Sequence, residues 1–102
     1  MAKIVALYKT PADPDAFDAH YFKKHVPITK KVPWLRKFEV SAGAVNTPAG
    51  PSPWHLVAVL SFDSPATLQA ALSSAEGQAA VNDLANFAQA GVDLLIFDAK
   101  EY

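Results

Sequence analysis

The sequence predicts an α+β subunit of ferredoxin-like topology, βαββαβ, with a four-stranded antiparallel sheet and both helices on one of its faces. Three observations point there. Short segments rich in β-favouring side chains alternate with two helical stretches in that order. Cap-and-proline signals mark both helix starts. No repeat or linker divides the 102 residues, so one domain is expected over 1–102.

Lys3 to Lys9 reads as the first strand and is closed by Thr10-Pro11. Asp13 before Pro14, with Asp15 in the first turn, opens a helix, because unpaired N–H groups there favour acceptors and negative charge. That helix should run from about Pro14 to His25 and end or kink there, since Pro27 biases Val26 away from helical torsions. Extended segments follow from about Arg36 to Ala44 and from Trp54 to Asp63. The three-proline connection Asn46–Pro53 lies between them, either as a lid or as an arm around a second subunit. Asp63-Ser64-Pro65 opens the second helical stretch, which pauses at Ser73-Ser74 and resumes from Glu76 to Ala90. Gly91 ends it, and Val92 to Phe97 is the fourth strand.

Composition removes several classes of function. Hydrophobic residues make up 51% and charged residues 19%, which excludes a disordered tail. Nine Lys+Arg against ten Asp+Glu leave a net charge of −1 and argue against nucleic acid as a partner. The aliphatic run Leu56–Leu60 falls far short of the ~20 residues that span a bilayer, so no membrane partner is expected. No signal-peptide pattern marks the start. The chain has no cysteine, which excludes disulfides and thiolate chemistry and makes the cytoplasm the expected compartment.

The strands are apolar on both sides. Trp54, Leu56, Ala58, Leu60 and Phe62 alternate with His55, Val57, Val59 and Ser61, and the first and fourth strands behave likewise. Two apolar faces need two covers, and two helices supply one. A homodimer closed sheet to sheet is therefore expected, against the plainer reading that some of these side chains stay wet.

No glycine-rich phosphate loop, zinc-binding helix motif or serine elbow is present, so no cofactor or metal is expected. The three histidines remain. His20 and His25 are five apart and separated by about 140° on a regular helix, which points His20 to solvent and prevents a shared metal. His25 falls on the apolar stripe of Phe17, Tyr21 and Ile28, where burial would keep it neutral and able to exchange a proton. Tyr21 sets a phenol one turn away. The competing reading is a core histidine satisfied by a backbone carbonyl. Trp34, Trp54 and His55 flank loops, where packing competes with a role as ligand walls.

The run Phe17-Asp-Ala-His-Tyr21-Phe-Lys-Lys-His25-Val-Pro27, with its His-x-Pro ending, is followed by Val32-Pro33-Trp34-Leu35-Arg36. Together with Ser74-Ala-Glu76-Gly77-Gln78 and Asp83 to Val92, it resembles the EthD family of the dimeric α+β barrel superfamily. The resemblance covers nearly the whole chain. It implies a sheet-paired dimer and a cavity between sheet and helices, where His25 faces a small apolar or aromatic molecule. Related barrels include lactone isomerases, cofactor-free monooxygenases and polyketide cyclases. Trp34 departs from the pattern, standing where the family would have glycine; its ring would narrow the cavity mouth.

The leading expectation is a cofactor-independent acid/base enzyme with His25 and Tyr21 as catalytic residues and Phe17, Trp34, His55 and Phe62 binding a small hydrophobic ligand. Isomerisation, dehydration, cyclisation or cofactor-free oxygenation would suit it. The alternatives are a non-catalytic small-molecule-binding accessory protein of a catabolic pathway, and an interaction module docking through its sheet.

Overall fold

The computed structural model describes residues 1–102. Strand β1 is Ala2–Lys9, followed by helix α1 at Pro14–His20, a π-helical turn at Tyr21–His25 and helix α2 at Val26–Lys30. Then come β2 at Lys37–Val40, a small hairpin of β3 (Asn46–Thr47) and β4 (Gly50–Pro51), and β5 at Trp54–Phe62. Helices α3 at Pro65–Ser73 and α4 at Ala75–Phe87 and strand β6 at Val92–Asp98 complete the chain. The main sheet has the order β2-β5-β1-β6 and is antiparallel throughout. The hairpin is an addition to the expected topology and is built from the three-proline connection Asn46–Pro53.

The helix starts follow their caps. Asp13 accepts from the Ala16 N–H, Ser64 from Thr67 and Ser74 from Gly77, with Pro14 and Pro65 in first turns where a missing N–H costs nothing. Ser74 also closes α3, which is the pause at Ser73-Ser74.

Pro27 does not end the first helical stretch; the regular α-helix changes geometry just before it. The turn before it widens instead, so that the Val26 N–H bonds to the Tyr21 carbonyl five residues back, and helical geometry continues to Lys30. A proline lacks an N–H and its ring crowds the carbonyl four residues earlier. A widened turn absorbs that conflict without a break.

Register places Ala2, Ile4, Ala6 and Tyr8 of β1 opposite Phe62, Leu60, Ala58 and Leu56 of β5, all on the helix-covered face. The other face carries Val5, Leu7, Val57, Val59, Leu95 and Phe97, and no element of the chain covers it. Edge strand β6 overhangs the helices, leaving Leu94 and Ile96 on the helix side exposed as well. No helix is long and apolar enough to cross a membrane.

Candidate functional site

The cavity between sheet and helices begins with small residues. Ala6 and Ala58 face each other at the centre of the sheet, and Gly77 and Ala80 line α4 above them. Where side chains are this short the layers cannot close, and a cavity of about 70 Å³ remains. Fourteen of its seventeen lining residues are hydrophobic, and His25 and Thr29 are the polar side chains in the wall besides the tyrosines.

His25 enters that wall from the end of the π-helical turn, and only 6% of its surface is exposed. Its Nδ1 lies 2.9 Å from Oδ2 of Asp83, on α4. His20 Nε2 lies 3.1 Å from both oxygens of the same carboxylate, and Asn86 Nδ2 donates to Oδ1 at 2.9 Å. Burial pushes the Asp83 carboxyl up, but the hydrogen bonds from Asn86, His25 and His20 outweigh it and hold the group below its ordinary value. An ionised carboxylate only accepts, so both histidines donate to it. His25 thereby carries its proton on Nδ1, leaving the Nε2 lone pair free.

Burial lowers the pKa of His25, and Asp83 opposes that shift only in part. The ring is therefore neutral near pH 7, a base with an oriented lone pair. Phe87 fixes both histidines from the α4 side, with ring centroids 4.8 Å from His25 and 5.0 Å from His20. Tyr21 packs against His25 at 5.3 Å and lines the cavity, and burial raises its pKa so that it remains a neutral phenol.

The expected residues do not all converge here. Tyr21, His25 and Phe62 line the cavity. Phe17 packs in the aromatic core against Tyr8, Tyr21 and Phe87, outside the cavity wall. His55 donates to Asp18 at 2.8 Å, sets its ring against the edge of Phe17, and lines a separate shallow groove with Ser41 and Phe22. Trp34 is 57% exposed and does not reach the cavity. Its backbone has φ of 63°, the left-handed region that glycine adopts freely.

Two members of the site were missed by sequence reading. His20 was expected in solvent, because a regular helix separates it from His25; the π-helical turn brings residues five apart into line. Asp83 carried a readable signal. It stands on α4 one turn before Phe87 and beside Leu84, a charge on an apolar face. No group of three or more His, Asp or Glu side chains is arranged to hold a metal ion.

Known proteins resemble this chain over most of its length. The EthD domain model matches residues 9–91. An uncharacterized 11.0 kDa protein from the thcB-thcC intergenic region of Rhodococcus erythropolis is 41% identical over 101 residues, covering 98% of this chain and 96% of that one. The crystal structure of an ethyl tert-butyl ether D family protein from Bacillus halodurans superimposes with a TM-score of 0.90 at 37% identity, covering 98% of this chain and 99% of that one. At the level of fold alone, SnoaB, a cofactor-independent oxygenase from Streptomyces nogalater, matches with a TM-score of 0.67 at 12% identity over 99% of this chain and 94% of its own. With the family model spanning most of its length and two relatives above 30% identity, this chain belongs to the EthD family.

Proposed function

We propose that this protein is a small cofactor-independent enzyme that moves a proton on a small hydrophobic metabolite, with His25 as general acid/base. His25, in the wall of the apolar cavity and hydrogen-bonded to Asp83, carries this reading. Nε2 takes a proton from the substrate, the ionised Asp83 stabilises the imidazolium that forms, and the same nitrogen returns the proton elsewhere on the molecule. Isomerisation, dehydration and cyclisation need no more than this, and positioned proton transfer contributes about 10²–10⁴-fold. Tyr21, held neutral, is a hydrogen-bond donor at the cavity wall. The fold shared with a cofactor-independent oxygenase supports cofactor-free chemistry only as an analogy.

The working unit is a homodimer paired through the open sheet face. Leu95 and Phe97 are 49% and 47% exposed there, beside Val5, Leu7, Val57 and Val59. This uncovered apolar cluster, bordered by Lys3, Ser61, Glu39 and Asp93, supports an interface there. The cysteine-free sequence suits the cytoplasm.

The test begins with native mass spectrometry of protein taken directly from cells, which gives the subunit number and the mass of any occupant. The occupant is then incubated with wild type and with His25→Gln in heavy water. An enzyme of this type incorporates deuterium with wild type and fails to do so with His25→Gln, while both bind. Equal incorporation by the two proteins removes the acid/base role. Binding without incorporation by either leaves the accessory-protein reading.

A further inference from the structure

Thr29 sits one helical turn beyond His25, on α2, and lines the same cavity. It is 3% exposed, and its hydroxyl is the one buried side-chain polar atom without a hydrogen-bond partner. A helical threonine can turn its hydroxyl back onto the carbonyl four residues earlier, but this one does not. The fold thus bears the cost of a desolvated hydroxyl with no partner in the chain, at a position where valine would fill the same space.

We infer that Thr29 is the anchor for a carbonyl oxygen, and that the substrate class is a small apolar ketone or lactone with a removable proton beside that carbonyl. This deepens the acid/base reading and rests on it for the role of His25. The spacing suits the chemistry, because side chains four apart on a helix lie about 5–6 Å from each other at Cβ. A carbonyl oxygen held by Thr29 sets the adjacent carbon towards His25 Nε2.

The step balances without any co-reactant. The C–H bond breaks as the N–H bond forms on His25, the electron pair becomes the carbon–carbon double bond, and the carbonyl oxygen gains the charge. The Thr29 O–H donates to that oxygen, so its hydrogen bond strengthens as charge develops. In a substrate with a β,γ carbon–carbon double bond the charge also reaches the γ-carbon, and return of the proton there completes an isomerisation. Ile4, Leu84 and Phe62 in the wall carry no donor, and the other hydroxyls lining the cavity are the phenols of Tyr8 and Tyr21.

The experiment compares acetone with isobutene, which keeps the shape and lacks the acceptor oxygen, by protein-observed amide NMR; both are small enough for the cavity. Wild type is expected to bind the ketone about tenfold more tightly. Thr29→Val is expected to bind both alike and to melt no lower than wild type, since it discards an unpaired hydroxyl. Thr29→Ser keeps the preference. Wild type that binds the ketone no better than the hydrocarbon, or binds neither, overturns the inference. So does a Thr29→Val variant that retains the preference or melts lower. His25→Gln separates the two readings. It should keep the ketone preference and lose deuterium exchange beside the carbonyl in heavy water. Exchange that persists in His25→Gln while Thr29→Val loses the preference sinks the acid/base role and leaves the anchor.

Discussion

His20 and His25 stand five residues apart and bond the same carboxylate, His20 Nε2 at 3.1 Å and His25 Nδ1 at 2.9 Å from Asp83. The π-helical turn over Tyr21–His25 makes this possible, because bonding to the fifth residue back stacks such pairs on one side. Pro27, two residues on, is the local cause of the widened turn. A backbone conflict in the sequence thus has a chemical outcome, a carboxylate with three side-chain donors and a histidine whose free nitrogen is fixed.

The first expected outcome is a stability change with acid. Burial holds the His25 pKa below its ordinary 6.5, so below that pH the unfolded chain takes up a proton that the native chain refuses. Stability contributed by the neutral ring is complete above 6.5 and declines as pH falls from there towards the native pKa. The slope reaches up to about 1.4 kcal/mol per pH unit. Urea unfolding midpoints of wild type and His25→Gln should diverge between pH 7 and pH 5, with the variant flatter. Parallel curves would mean that folding leaves the His25 pKa where it is in the unfolded chain, and a wild type that gains stability as pH falls would mean a ring protonated in the fold. The Asp83 carboxyl acts lower, since its depressed pKa gives stability that is lost only as pH falls through the native value.

Asp83→Asn tests positioning. The amide can accept from one histidine but presents N–H to the other, so the His25 tautomer is no longer fixed. Loss of a buried charged acceptor should cost about 1–3 kcal/mol of stability. On the substrate identified by native mass spectrometry, turnover near neutrality should fall by about 10²-fold or more. The diagnostic reading is the pH profile of kcat/KM. Without the negative charge the imidazolium is less stable, and the acid limb moves to lower pH. A uniform drop with an unmoved limb would assign Asp83 to structure alone.

The order of strands and helices along the chain was legible because side-chain alternation and caps act locally. Ala6 and Tyr8 against Ala58 and Leu56 follow from a period of two, and Asp13, Ser64 and Ser74 cap where their types predict. The site was legible only in part. Tyr21, His25 and Phe62 share the cavity, but an angular projection that assumes uniform turns fails across one widened turn, and His20 was lost with it. Phe17 and His55 lie outside the cavity wall although Phe17 shares the helix stripe of Tyr21 and His25. Their actual neighbours, Phe87 and Asp18, lie far from them in sequence and leave no local trace.

The open face gives a third outcome. Leu95 and Phe97 lie side by side with Val5 and Lys3 in the register of β1 and β6, and each is about half exposed in the single chain. Leu95→Lys and Phe97→Lys place charge on exposed positions, where surface changes usually stay within about 0.5 kcal/mol. If the face is the dimer interface, desolvating the new charge should convert dimer to monomer in sedimentation at micromolar concentration, with the circular dichroism of the folded chain retained. Variants that sediment as wild type would move the interface elsewhere.

Trp34 supplies an outcome of the opposite sign to the usual loss on truncating an aromatic residue. Its φ of 63° costs an L-residue about 1–2 kcal/mol, while glycine adopts that geometry freely and pays about 0.5–1 kcal/mol in unfolded-chain entropy. The ring returns little, being 57% exposed and absent from the cavity wall. Trp34→Gly should therefore leave stability unchanged or raise it by up to about 1 kcal/mol, and leave ligand affinity unchanged. Thermal unfolding together with a binding titration checks both. A loss of stability would reveal a packing partner for the ring, and in a dimer that partner would come from the second subunit. A loss of affinity with stability intact would bring Trp34 back to the cavity mouth.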